Sequence, residues 1–316
     1  MRKKFITFIL VGMVCLFQSC HQHDDIFPHE PGTEDEIVLT AEIGPAPTRM
    51  SQIADNTYVF DAGDSIRVVG WTGAYAAVPD ASSPSEYAKW WINSVNVFNG
   101  RKWTATPYMR WQNGEGIEHH FVSWYPAGIA IAPRDDLKSI YHLSTDTYNP
   151  DILVASTSLT RPSDNRVNLH FSHLLSRFDL HLRFVDYYHD ITNISVTSEL
   201  TVDATINLIA GNLTQGSVSA TVSVDEVAPT EGNTWSGSRI VVPQNTDGCS
   251  LTIKFVANGK DYSMHYTHPS LHFEQGKRTT LRLLVSKDDI LLQGVGVSAW
   301  SEGSSLGDAD AEESGK

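Results

Sequence analysis

Between Val167 and Phe184 the sequence reads VNLHFSHLLSRFDLHLRF, with apolar residues at every second position twice over: Val167, Leu169 and Phe171, then Phe178, Leu180, Leu182 and Phe184. Successive side chains of an extended strand point to opposite faces. This spacing therefore builds two half-buried strands and cannot line one face of a helix, where apolar residues recur at three and four. His173-Leu174-Leu175-Ser176 is the expected connection between the two strands.

The same grammar runs through most of the chain. EIVLTAEI, residues 36–43, alternates in part and is broken by GPAPTR. TYVFDAGDSIRVVGW reads as strand, tight turn at Ala62-Gly63-Asp64, strand; SVNVFNGRKWTA repeats that shape with Asn99-Gly100 as its hairpin signal. HHFVSWYP gives another strand, in which Trp124 alternates with Val122 as core, and DILVAST a shorter one. Beyond residue 200 follow TINLIAG, SVSATVSV, SRIVVPQ, LTIKFVANGK, DYSMHYTH, RTTLRLLVS and DILLQGVGVSAW. Only PSEYAKWWINS, residues 84–94, carries spacing suited to a helical turn or two. The pattern predicts an all-β chain of two β-sandwich domains, residues 37–160 and 161–300, with the break near 155–165.

The two ends read differently. Arg2, Lys3 and Lys4 precede an apolar run from Phe5 to Phe17, which at 13 residues is a signal-peptide core rather than a membrane span. Ser19-Cys20 then resembles the lipobox of bacterial lipoproteins. That resemblance implies removal of residues 1–19 and acylation of Cys20 by fatty chains such as palmitate, and two chains anchor a protein stably. Cys20, His21, His23, Asp24 and Asp25 look like a ligand set, but HQHDDIFPHEPGTEDE has no apolar periodicity to hold a metal scaffold. Residues 20–36 are therefore expected to be an acylated tether. The acids after Cys20 resemble the signal that sends such lipoproteins to the outer face of the outer membrane. Of three cysteines, Cys15 leaves with the signal and Cys20 is acylated, so Cys249 remains as a strand cysteine without a disulfide partner. The acidic stretch 301–316 has almost no apolar content and is expected to be disordered.

With 316 residues, 41% of them hydrophobic, the chain can bury two cores. Its formal net charge of −14 repels phosphate backbones, which excludes nucleic acid as a partner.

Taken in order, several pieces resemble the fimbrillin-like lipoproteins of Bacteroides and relatives, the subunits of type V pili and related adhesins. They are Ser19-Cys20, the first strand ending in Thr48-Arg49, YVFDAGDSIRVVGW, VSWYP, VNLHFSHLLSRFDLHLRF, IVVPQN, LHFEQGKRTTLRLLV and the closing VGVSAW. The resemblance implies transthyretin-like topology for both sandwiches and, in pilus-forming members, cleavage after an arginine beyond the first strand. Carried to this chain, the bond is Arg49-Met50, the removable strand is roughly Ile37 to Ile43, and the donor strand that fills a neighbour's groove runs from Ile290 through Leu291, Leu292, Val295 and Val297 to Trp300. The implied partners are other fimbrial subunits, the outer membrane through the lipid, and a host or bacterial surface protein or glycan. The physics of exchange is independent of the family. Losing a sandwich strand exposes unpaired backbone groups beside an apolar groove, and a partner strand restores both.

Catalytic and metal readings have little to build on. His170, His173 and His181 invite zinc, but the first two fall around the turn between strands, and the remaining carboxylates lack ligand-like spacing. Asp135-Asp136 and Glu199/Asp203 act as glycosidase acids only if set across a cleft. LLQGVGVSAW lacks the spacing and following helix of a nucleotide loop. No enzyme activity, metal or cofactor is expected. The rival signal is aromatic. Trp71, Trp90, Trp91, Trp103, Trp111 and Trp124 crowd the first half, and adjacent Trp90 and Trp91 are candidates for ligand contact in a monomeric, glycan-binding lipoprotein.

Overall fold

The computed structural model describes residues 35–44, 60–74, 91–129, 140–145, 151–230 and 232–300, and every regular element among them is a strand. In the first half these are β1 (Val38–Ile43), β2 (Ser65–Thr72), β3 (Trp91–Phe98), β4 (Trp103–Thr106), β5 (Glu118–Tyr125), β6 (Ile140–Ser144), β7 (Leu153–Thr160) and β8 (Arg166–His173). The second half contributes β9 (Ser176–Phe184), β10 (Thr192–Thr201), β11 (Asp203–Asn207), β12 (Asn212–Gln215), β13 (Ser219–Ser223), β14 (Asp225–Pro229) and β15 (Thr234–Val241). It closes with β16 (Gln244–Ala257), β17 (Lys260–Phe273), β18 (Lys277–Val285) and β19 (Ile290–Ala299).

The alternating run lies where its period demands. β8 buries Val167, Leu169, Phe171 and His173 on one face, and β9 buries Phe178, Leu180, Leu182 and Phe184. Its connection is shorter than the sequence suggests. His173 and Ser176 are strand residues, and the link is Leu174-Leu175, both fully buried. Asn99-Gly100 turns β3 into β4, with Gly100 at φ 89°. Asn258 and Gly259, both at positive φ, turn β16 into β17, the two-residue loop that suits the twist of a hairpin. Of the stretch read as helix-like, residues 84–90 lie outside the described residues and 91–94 open β3.

Four sheets result. Seven strands in the order β1-β8-β7-β5-β2-β3-β4 form a curled sheet whose ends approach, β1 coming back against β4. Its concave side holds a core of Ile66, Val68, Phe121, Met109, Trp111, Val167, Leu169 and Phe171. The three-stranded sheet β12-β11-β6 covers the other side through Ala204, Ile206 and Leu143, which pack with Trp71, Val122 and Trp124. Covered on both faces, β5 buries every side chain from His119 to Trp124, although a half-solvated strand would alternate. In the C-terminal half, the five-stranded sheet β14-β15-β9-β18-β19 and the four-stranded sheet β13-β10-β16-β17 share one core, including Phe178, Leu180, Phe255, Leu271, Phe273 and Leu281. This is a sandwich-like arrangement. β17 is the last strand of its sheet, which accommodates Pro269 without costing a ladder hydrogen bond.

Candidate functional site

β1 is the first described strand in the chain and the end strand of its sheet. It runs parallel to β8 in unbroken register from Val38 opposite Arg166 to Ile43 opposite Phe171. Its backbone is tied at both ends, the Val38 N–H donating to the Asn165 carbonyl at 3.0 Å and the Gly44 N–H to the Phe171 carbonyl at 2.9 Å. On its other side only the approach is held. There Ile37 N–H donates to the Met109 carbonyl at 3.0 Å and Trp111 N–H to the Asp35 carbonyl at 2.8 Å.

Alternation sorts the side chains of this segment. Ile37 and Leu39 are buried, and Ala41 and Ile43 pack behind them against the core that contains Val167, Leu169 and Phe171. On the outer face Val38 is exposed, the Thr40 hydroxyl donates to Asn168 Oδ1, and Glu42 lies 3.6 Å from His170. Both of these polar pairs are exposed and contribute little. β1 is therefore held by backbone ladder and apolar burial. It is also topologically simple to remove, because it lies at a sheet end and no described strand precedes it. Without it, one edge of β8 loses its backbone partners and the apolar row 167, 169, 171 loses its cover.

β19 is the matching end strand of the five-stranded sheet, antiparallel to β18 from Lys277 opposite Ala299 to Val285 opposite Ile290. Leu292, Val295 and Val297 stand opposite Leu283, Leu281 and Thr279, all fully buried. Even so, these three are 48%, 41% and 47% exposed, and Leu291 is 49% exposed. Ile290 and Trp300 are buried at either end. The Trp300 backbone N–H donates to the Gly276 carbonyl at 3.1 Å, and the indole stacks on His173, ring centroids 3.9 Å apart and planes 10° from parallel. His173 Nδ1 in turn lies 2.9 Å from Asp151 Oδ1. β19 is thus an uncharged apolar edge strand pinned at its end. Exposed edges of this kind pair readily with other strands.

The other candidate residues are dispersed. Cys20, Arg49, Met50, Trp90, Asp135 and Asp136 lie outside the described residues. The Trp91 backbone is in β3 opposite Trp71. Trp71, Trp111 and Trp124 are core, while half-buried Trp103 packs edge-on against Phe60 at 5.0 Å. His170 and His173 are both in β8 rather than around a turn, and strict alternation sends them to opposite faces. They cannot share an ion with His181 of β9. Among the described residues no group of three or more His, Cys, Asp or Glu is placed to hold a metal. Glu199 accepts from Thr221 Oγ1 at 2.9 Å, and Asp203 from the Val218 N–H at 2.7 Å, each serving a local strand contact. Cys249 is buried in β16.

Sequence reading missed the Trp300–His173–Asp151 contact. Its signal was a tryptophan closing the last strand together with a histidine on the buried phase of β8, and nothing local connects residues so far apart in sequence.

The sequence profile of the family described as fimbrillin-like matches residues 48–300, most of the chain. The chain belongs to the fimbrillin-like family. Solved structures of similar fold include a candidate cell adhesion protein from Bacteroides ovatus, 16% identical with a TM-score of 0.59, the match covering 85% of this chain and 98% of that one. Another from Bacteroides uniformis is 16% identical with a TM-score of 0.55, over 84% and 99%. A fimbrial protein from Bacteroides vulgatus is 12% identical with a TM-score of 0.55, over 84% and 100%. At such identities the fold is what these structures share with this chain. No curated protein matches it.

Proposed function

We propose that this fimbrillin-like chain is a non-enzymatic lipoprotein of the outer membrane surface, acylated at Cys20, that serves in cell adhesion as a structural, anchor or tip subunit of a fimbrium. In this reading the chain holds two sandwiches of transthyretin-like topology. Assembly follows a cut at Arg49-Met50: β1 leaves, and the strand Ile290–Trp300 of a second copy enters the groove beside β8. The cell-adhesion and fimbrial relatives support the role.

The observation that carries the mechanism is the position of β1. It is terminal in its sheet, parallel to one neighbour, and the cover of an apolar row that a second strand can cover equally well. Trp71, Trp111 and Trp124 serve packing, while the side chains of the glycan-contact candidates Trp90 and Trp91 lie outside the described residues.

Limited trypsin treatment of the protein lacking its lipid, read by mass spectrometry and native sizing, tests the reading. Selective cleavage after Arg49, loss of the fragment carrying β1, and a ladder of multimers are expected. Resistance at Arg49 overturns exchange as the assembly route. Cleavage without multimers leaves the anchor and tip roles and removes the shaft role. Metabolic labelling with a fatty acid, lost in Cys20→Ala, checks the anchor separately.

A further inference from the structure

The last residue of β8, His173, continues the buried alternation of Val167, Leu169 and Phe171. Its ring is stacked on Trp300, which follows β19 and is also buried, and its Nδ1 faces Asp151. The seat under this pair is built from the link between the sheets. The Gly276 N–H donates to the Leu175 carbonyl at 2.9 Å, and Gly276, at φ 67°, comes so close to β8 that a Cβ on it would lie 3.3 Å from the His173 carbonyl oxygen. The Trp300 backbone is bonded to the same glycine. The indole itself is held by contact alone, since neither Trp300 Nε1 nor His173 Nε2 has a hydrogen-bond partner among the described residues. One indole can therefore replace another on His173 without breaking a side-chain hydrogen bond.

The register of β1 shows what a second copy would bring to this point. β1 runs parallel to β8 with Ile43 opposite Phe171, so a strand continued two residues further would stand opposite His173. On β19, Ile290, Leu292, Val295 and Val297 pair with every second residue of β18, namely Val285, Leu283, Leu281 and Thr279, and so share one face. Seated in the places of Ile37, Leu39, Ala41 and Ile43, this row puts Val297 opposite Phe171. Ala299 then stands opposite His173, and Trp300 lies one residue beyond, about 3.3 Å along the strand. The incoming indole and the resident one converge on the same buried ring.

We propose that His173 is the point at which subunits exchange tryptophans. A donor strand entering beside β8 carries its own Trp300 to the acceptor's His173, displaces the acceptor's Trp300, and so loosens the acceptor's β19 for the next exchange. Resting on strand exchange as the assembly route, the swap adds an order of events: a subunit gives its strand once it has received one. β19 is open to such loosening because β18 is its one neighbour in the sheet and Leu292, Val295 and Val297 stay exposed, which leaves the Trp300 stack to fix its end.

The probe is a synthetic peptide of residues 290–300, isotopically heavy so that its fragments are told apart from the protein's. It is added in excess to the protein lacking its lipid, cut by trypsin after Arg49. Excess peptide fills the groove and keeps the protein monomeric, and native mass spectrometry counts the peptide bound. A peptide carrying Trp300→Ala fills the same groove through the same apolar row. Hydrogen exchange at residues 290–299 of the protein is expected to be up to about tenfold faster with the native peptide than with the alanine peptide, the worth of one stacked aromatic pair. In His173→Ala protein that difference is expected to vanish. Equal exchange with the two peptides, both bound, overturns the tryptophan swap and leaves strand exchange standing. So does a difference that persists in His173→Ala. Failure of both peptides to bind, or of trypsin to cut after Arg49, removes strand exchange itself and the swap with it. Should His173→Ala fail to fold, the two peptides on wild-type protein decide.

Discussion

Leu39→Ala is the most direct probe of how β1 is held. Leu39 is the most buried side chain of the strand, 8% exposed, and it packs in the core containing Val167, Leu169 and Phe171. Leucine-to-alanine changes in cores cost about 2–5 kcal/mol. At the end of a sheet water can enter the vacated space, so the low end applies, about 2 kcal/mol. The structure also says where the loss falls. β1 has ladder bonds to β8 and a short contact with residues 109–111, so it can open while the rest of the sheet stays paired. Opening then becomes roughly 30-fold more frequent, at about 1.4 kcal/mol per decade. Hydrogen exchange read by mass spectrometry should show that acceleration at residues 38–43 and a much smaller change at residues 251–255 of β16, whose sheet makes none of these contacts. Equal acceleration in both places would mean that β1 comes off only when the whole protein unfolds. Unchanged exchange at 38–43 would mean that Leu39 does not hold the strand. Either result refutes a separately releasable β1.

Trp300→Ala removes a buried ring stacked on His173 and should cost about 3–5 kcal/mol, lowering Tm by on the order of ten degrees; a fall within two degrees would show that the ring is dispensable. His119, fully buried, accepts the Gln112 N–H at Nε2 (3.3 Å) and contacts the Ile117 carbonyl through Nδ1 (2.9 Å), and desolvation depresses its pKa. The unfolded chain therefore takes up this proton first: the stability due to neutral His119 is complete above pH ~6.5 and is lost as pH falls toward the depressed folded value. Urea midpoints at pH 7.5 and 5.5 should converge in His119→Gln, and an unchanged difference would count against the assignment. Val295→Lys with Val297→Lys, at positions 41% and 47% exposed, should leave Tm within about 2 degrees yet abolish multimers after trypsin, whereas multimers at wild-type yield would exclude β19 as the donor.

Strand content was legible because alternation is local: residues 167–171 and 178–184 bury their predicted face, and Asn99-Gly100 turns where its backbone preferences require. Sheet membership was not. β8 precedes β9 by two residues, yet β8 lies between β1 and β7 while β9 lies between β15 and β18. The fully buried Leu174-Leu175 link carries the chain from one sheet to the other, and a pair of leucines signals burial without signalling direction. β6 pairs with β11, joining residues 140–144 to 203–207 in a cover over β5. Alternation in β5 correctly marked Val122 and Trp124. It was silent about Phe121 and Ser123, because burial of both faces depends on a sheet formed elsewhere in the chain. The edge role of β1 was read from the resemblance, and its parallel pairing with β8 emerged only from the structure.

β8 is where the two ends of the proposed exchange meet. Its residues 166–171 carry β1, and its last residue, His173, carries Trp300 from the end of β19. For β19 to replace β1, its apolar row must match Ile37, Leu39, Ala41 and Ile43, which recur every two residues. A straight β19 offers Leu291, Gln293, Val295 and Val297, or else Ile290, Leu292, Gly294 and Gly296. The first puts an amide in the groove and the second leaves half of it empty. The register shift between Arg282 and Leu283 removes both defects, because the extra residue at Gln293 brings Ile290, Leu292, Val295 and Val297 onto one face. A bulge re-aims side chains in this way without breaking the strand. Four apolar residues would then face the groove, as Ile37 and three residues of β1 do, and the glycines would be left on the outside. Under the proposed exchange, the irregularity in β19 is thus what would give the strand an apolar row of four.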